Sequence, residues 1–344
     1  MRIARRVLLD GTRSQYFHVI SRVVDRRMVF EFEEKEKFRM MMRQFEAFSG
    51  CEVVTYCVMT NHFHILVRVP VRPAEISEQE VLRRMAFIYT DEQMSDYERQ
   101  LSIWKDSGAE EHLKQFFDRM RHRMFNLSIF VKDLKQKFTK WFNANHARKG
   151  TLWEERFKSL CVEGRFGAIL LVAAYIDLNP VRAGIVQMSE KYRWCGAHEI
   201  YSGDVLSRKA IAQVYQMFEA HGEMPADLGR CAKSYFDYLG LSVRDIADEG
   251  LENPRNKSEP NQTFNFIFGN ESVSDSIFLR NRFRVLTDSV VIGSREFVSQ
   301  VFEKVQKLHK AKRPFKERPV LVDHSSGVIL GVLRRMRGKI LTDH

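Results

Sequence analysis

Along the first half of the chain the pattern of apolar and polar positions changes period several times, and each change predicts an element. Tyr16-Phe-His-Val-Ile-Ser-Arg22 is rich in β-branched and aromatic residues and predicts a strand. From Glu33 to Ser49, charged positions interleave with Phe38, Met41, Met42, Phe45 and Phe48, the spacing of an amphipathic helix, and Gly50 ends it. Two apolar runs follow, Cys51 to Met59 and Phe63 to Val69. The link between them, Thr60-Asn-His62, suits a hairpin better than a crossover.

From Pro70 to Asn126 the pattern turns to charged helical sequence, as in Glu78-Gln-Glu-Val-Leu-Arg-Arg-Met85 and Glu110 to Met124, and predicts a helical insertion. Ser128 to Asn145 predicts another amphipathic helix, with Ile129, Val131, Leu134, Phe138, Trp141 and Phe142 near helical spacing. Phe157 to Val162 predicts a further strand. A helix then runs from about Phe166 to Leu178, because Pro180 disfavours helical backbone at Asn179. Beyond Val186 the chain reads as a second unit, with the polar stretch Asn253 to Gln262 as a loop or linker.

Composition narrows the partners. The 344 residues, 44% of them hydrophobic, suffice for one large domain or two modest ones. A net charge of +11 favours a polyanionic partner without naming it. No run approaches a membrane span, and the basic start, Met1 to Asp10, has too short an apolar stretch for a signal peptide, so a cytoplasmic protein with no membrane partner is expected. The five cysteines (Cys51, Cys57, Cys161, Cys195, Cys231) include no C-x-x-C pair and read as free buried or half-buried thiols.

The residues richest in chemistry are Thr60-Asn-His-Phe-His-Ile65. On a strand, His62 and His64 share one face while Phe63 points to the other, so two imidazoles project side by side as two ligands of one divalent ion would. A bare H-x-H is more often a pair of solvent-facing or hydrogen-bonded histidines. The second element is Tyr175-Ile-Asp-Leu-Asn179, whose Tyr175 and Asn179 lie at i and i+4 on one helix face, where a nucleophile and an oxygen ligand could share a site. Tyrosines on helices are usually just packed, so this signal gains weight only beside the histidine pair.

Taken in order, Phe17-His-Val-Ile-Ser-Arg22, Tyr56-Cys-Val-Met-Thr-Asn-His-Phe-His-Ile-Leu66, Phe142-Asn143 leading to Gly150-Thr-Leu-Trp-Glu-Glu-Arg-Phe-Lys-Ser159, and Tyr175-Ile-Asp-Leu-Asn-Pro-Val-Arg-Ala-Gly184 carry a resemblance. Over most of residues 14 to 187 the chain resembles the HUH-type single-tyrosine transposases, in particular the REP-associated tyrosine transposase branch found in bacteria. The resemblance implies Mg²⁺ or Mn²⁺ held by His62, His64 and Asn179, and Tyr175 as nucleophile on single-stranded DNA, with palindromic hairpins as substrate. The implied reaction is a transesterification giving a 5′-phosphotyrosine and a free 3′-OH, reversible without a nucleotide cofactor. Arg22, Arg26, Arg27, Arg156, Lys158 and Arg182 are candidates for phosphate contacts, against the alternative of a solvated basic surface. Trp141 and Trp153 either stack on unpaired bases or belong to the core.

The implied fold is α+β: a ferredoxin-like antiparallel sheet flanked by helices, forming a catalytic domain over residues 1–190 with a helical insertion at about 70–126. A mainly helical C-terminal extension, 191–344, would follow. There Arg244-Asp-Ile-Ala247 hints at a helix-turn-helix, and Lys304 to Arg318 and Arg334 to Lys339 are basic. Three rival functions share parts of this pattern. A histidine-triad hydrolase would need a third alternating histidine where Leu66 stands. A replication initiator or relaxase would use the same histidines and tyrosine as a nickase. A catalytically inactive DNA-binding or regulatory protein would keep the fold alone. Monomer and homodimer both stay open.

Overall fold

The computed structural model describes residues 12–164, 166–216, 227–247, 289–308 and 330–334. Its centre is a six-stranded sheet in the order β2-β3-β1-β4-β5-β6. The first four strands are β1 (Gln15–Arg22), β2 (Glu52–Val58), β3 (His62–Val69) and β4 (Lys158–Val162), and every pairing among these four is antiparallel. Helix α1 (Phe32–Ser49) links β1 to β2, and α5 (Leu127–Asn145) precedes β4. The two helices pack together over one face of the sheet, which is the ferredoxin-like arrangement expected. Gly50 closes α1 with a left-handed φ of 70°, its N–H donating to Glu46 O.

The insertion is helical, with α2 (Glu78–Met85), α3 (Asp91–Asp106) and α4 (Glu110–His122). Its apolar stripe, including Val81, Met85, Phe116, Phe117 and Met120, joins the same core as Phe38, Met42, Phe63 and Phe138. Trp153 is part of that core: its ring sits among Phe30, Phe38, Phe63 and Phe138, and its Nε1 donates to Thr139 Oγ1 at 2.8 Å.

The other face is covered by α6 (Phe166–Asp177), continued almost without a break by the short α7 (Asn179–Arg182), and by α8 (Gly196–Tyr201), α9 (Val205–Gln216) and α10 (Leu228–Ala247). Residues 168–176 of α6 are all buried, because this helix is apolar on every side and lies between the sheet and α9 and α10. Described residues beyond 190, from Tyr192 to Leu239 and at Ile292, therefore share this core. This part of the chain also lengthens the sheet: β5 (Ser289–Ser294) pairs parallel with β4, and β6 (Leu330–Arg334) pairs antiparallel with β5, so the complete sheet is mixed. Between these two strands runs α11 (Arg295–Leu308).

All five cysteines are buried and free. Among the described residues no helix is long and apolar enough to cross a membrane. The linker at Asn253 to Gln262 lies, with the rest of residues 248–288 and most of the two basic clusters, outside the described residues, while Arg244 to Ala247, the helix-turn-helix hint, form the last turn of α10.

Candidate functional site

Strand register decides which side chains meet. His62 lies opposite Arg22 and His64 opposite Ile20, so both imidazoles share a face with His18 and Lys158. That face is the one covered by α6, while Phe63, pointing the other way, packs on Phe38. The two histidine rings stand 5.0 Å apart at 79°.

Each imidazole is held through its Nδ1. His62 Nδ1 lies 2.7 Å from Asn61 Oδ1, and Asn61 Nδ2 donates to Arg26 O at 3.0 Å. His64 Nδ1 lies 2.9 Å from Nε2 of His18, which is itself completely buried. His62 Nδ1 faces an oxygen that can only accept, and in the tautomer where His64 Nδ1 donates to His18, Nε2 of both histidines carries the lone pair a metal needs, the usual outer-shell device for fixing tautomer and ring orientation. Burial, with help from Arg22, pushes the pKa of His62 down to about 4. Burial, followed by the neighbouring His62, His18, Arg182 and Arg22, holds His64 well below the ordinary imidazole value. Both are therefore neutral at neutral pH, the ligating form.

Tyr175 joins them from α6. Its ring meets the His64 and His18 rings with centroids 5.8 Å away in both cases, and only 4% of the residue is exposed. The i, i+4 relation to Asn179 is realised as a hydrogen bond from Asn179 Nδ2 to Tyr175 O at 3.0 Å, with a second to Ile176 O at 3.2 Å. The carboxamide nitrogen is thus turned back on the helix, leaving Oδ1 as the atom with which Asn179 could ligate an ion.

Arg182 does not lie on an open basic surface. It is half-buried, its guanidinium 4.1 Å from the centroid of the Tyr175 ring and its Nη2 donating to Tyr175 O at 2.7 Å. Desolvation lowers its pKa to about 10, opposed by Tyr175, which leaves it charged at neutral pH. Arg22, Arg26, Arg27, Arg156 and Lys158 are exposed, and Arg22 stands directly across from His62 at the mouth of the site. The turn carrying Arg26 is held in the left-handed region, with φ of 57° at Asp25 and 54° at Arg26.

Among the described residues no group of three or more His, Cys, Asp and Glu side chains could hold a metal. An ion here would rest on His62, His64 and Asn179, completed by water and substrate oxygens. That set fits a hard divalent ion, with imidazole leaning toward Mn²⁺. Local sequence pattern assigns no role to His18, Asn61 or Asp177. Period-two alternation of β1 puts His18 on the face of Ile20 and Arg22, but the histidine it reaches is set only by register across 46 residues. Asp177, fully buried just after Tyr175, accepts hydrogen bonds from Thr55 Oγ1, the Ala197 N–H and the Tyr235 hydroxyl. It thereby ties the end of α6 to β2, α8 and α10. Burial raises its pKa to about 7, against the opposing effect of these hydrogen bonds.

Comparison with known proteins places part of the chain. Residues 12–107 match the model of the family described as "Transposase IS200 like", which bears out the resemblance to transposases over a span containing His18, His62 and His64. Tyr175 and Asn179 lie beyond it. No curated protein sequence matches. Among solved structures, the chain is similar to one titled "Structure of the REP associates tyrosine transposase bound to a REP hairpin", at 13% identity and a TM-score of 0.33, covering 56% of this chain and 81% of that one.

Proposed function

We propose that the protein is a metal-dependent transposase that cleaves and rejoins single-stranded DNA, with Tyr175 as nucleophile. The observation that carries this reading is the convergence of two neutral imidazoles, each oriented through Nδ1, with a helical tyrosine whose ring adjoins His64. A histidine pair with a merely structural role has no need of that combination.

In this reading His62, His64 and Asn179 hold Mg²⁺ or Mn²⁺, which would polarise the scissile phosphate and stabilise charge on the departing 3′ oxygen. The Tyr175 phenol attacks phosphorus, losing its proton as the P–O3′ bond breaks and the 3′ oxygen gains one. The products are a 5′-phosphotyrosine and a free 3′-OH, and attack by a 3′-OH reverses the step. Arg182, packed on the Tyr175 ring, fixes the ring and keeps positive charge beside it. Arg22, at the mouth, and the exposed Arg26, Arg156 and Lys158 bind backbone phosphates, supplying affinity without sequence information. The substrate is single-stranded DNA, with hairpins in the flanks of its own gene as the first to test.

The test is to incubate the protein with such a hairpin and Mn²⁺ or Mg²⁺ and look for a denaturant-resistant protein–DNA adduct. The adduct should map to Tyr175 by mass spectrometry and vanish on chelation and in Tyr175→Phe. One observation favours a second reading, a DNA-binding protein without cleavage: Tyr175 is only 4% exposed beneath Arg182, so little of the nucleophile meets solvent. Tight hairpin binding with no adduct under either metal would select that reading.

A further inference from the structure

A second cluster of unsatisfied groups lies along the β2 edge of the sheet, outside the histidine–tyrosine site. Lys35, early in α1, is 8% exposed, and its ammonium has no carboxylate or hydrogen-bond acceptor among the described residues. It sits instead over two rings, 4.6 Å from the Trp194 centroid and 5.4 Å from that of Tyr192. Burial lowers its pKa. Trp194 in turn stands edge-on to Phe32 at 5.2 Å, and its own Nε1 is buried without a partner among the described residues. Phe32 is 60% exposed, with the Arg193 guanidinium 5.7 Å from its centroid. The nearby carboxylate of Glu36 is already matched by Arg39 and Arg193, so it does not neutralise Lys35.

The cluster adjoins the metal-ligating strand. Val58 N donates to Trp194 O at 2.9 Å and the Tyr192 hydroxyl donates to Val58 O at 2.8 Å, so this segment runs along β2. Val58 pairs with Phe63, the residue between His62 and His64. Two strand spacings, about 10 Å, therefore separate the backbone of this segment from that of the histidine strand β3.

A largely buried lysine whose ammonium has no counter-ion among the described residues and a phenylalanine ring left in water are each unfavourable alone. A ligand that joins a flat aromatic face to an anionic oxygen satisfies both at once, and a nucleotide of an unpaired strand is such a ligand. We propose that Phe32, Trp194, Lys35 and Arg193 form a nucleotide subsite for the single strand that flanks the scissile phosphate, with a base stacked on Phe32 and a phosphate on Lys35. The assignment rests on the single-stranded DNA reading above, and it adds a contact point beyond the residues that reading uses.

The test is equilibrium binding of the full-length chain to a fluorescein-labelled oligothymidylate, by anisotropy across a salt series and without divalent ions, so that no cleavage intervenes. Phe32→Ala should weaken binding about tenfold with an unchanged salt dependence, and Phe32→Tyr should restore it. Lys35→Gln should reduce the slope of log affinity against log salt by about 0.7, one single-strand phosphate, and Lys35→Arg should retain it. Thermal melting checks folding. If Lys35→Gln proves unstable, the exposed Phe32 pair decides. Wild-type binding in Phe32→Ala would overturn the subsite while leaving the Tyr175 adduct, and hence the proposed function, standing. Failure of the wild-type chain to bind the oligonucleotide at all would overturn both.

Discussion

His18 provides the sharpest test of how the site is built. A metal at His64 Nε2 requires the proton on Nδ1, and His18 Nε2, 2.9 Å away, is then its acceptor. Replacing His18 by Leu keeps an apolar body of similar size and removes that acceptor. His64 is 2% exposed, so water cannot substitute, and a buried N–H left without a partner costs about 1–3 kcal/mol. Spent against the ligating tautomer, that loss corresponds to roughly a 5- to 150-fold weakening of metal affinity, in line with the ~10–100-fold typical of outer-shell partners. Titration calorimetry with Mn²⁺ reads this directly, and the Mn²⁺ concentration giving half-maximal adduct reads it through chemistry. His18→Gln, which can place an oxygen near the lost nitrogen, should recover most of the affinity. Unchanged Mn²⁺ affinity in a His18→Leu protein that melts like the wild type would refute the reasoning, and would mean that His64 is not oriented by His18.

Three further outcomes are expected. His62 and His64 both have pKa values depressed in the folded state, so their contribution to stability is fully present above pH 6.5 and is lost as pH falls toward about 4; metal-free urea unfolding over that window should show the slope, and His62→Gln/His64→Gln should flatten it. Glu199→Ala should destabilise by about 3–5 kcal/mol in the same assay, because Glu199 accepts from Arg39, Arg43, Tyr56 and Ser207, and Arg43, only 17% exposed, would lose its partner in α8. Gly196→Ala should cost about 1–3 kcal/mol in melting experiments, since the added Cβ would lie 2.9 Å from Thr55 Cβ and 3.1 Å from Thr55 Cα, pressing on the residue that donates to Asp177.

The sequence by itself determined whatever depends on local periodicity. The 3.6-residue recurrence of Phe38, Met41, Met42 and Phe45 specifies α1, Gly50 its end, and Pro180 the end of α6 near Asp177. Alternation sends His62 and His64 to one face and Phe63 to the other, because strand side chains repeat every second residue whatever the partner strand. The i, i+4 pairing of Tyr175 with Asn179 follows in the same way from helical geometry.

Tertiary structure alone decided what depends on register and docking. Which histidine meets His18 depends on β1 pairing with β3 at one particular offset, and a slip of a single residue would turn every side chain over. That α6 covers the histidine face, bringing Tyr175 to His64, depends on the opposite face already being filled by α1 and α5. Arg182 reads in the sequence as one more surface cation beyond a helix end, yet it lies on the Tyr175 ring because α7 carries the helical path on past Pro180 and places it two turns along the same face. Lys35 reads as part of the polar face of α1 and is instead buried against Trp194, which the chain delivers from about 160 residues away. Such contacts join segments remote in sequence, whose local patterns are satisfied by many packings; only the assembled sheet, with both faces covered, selects one.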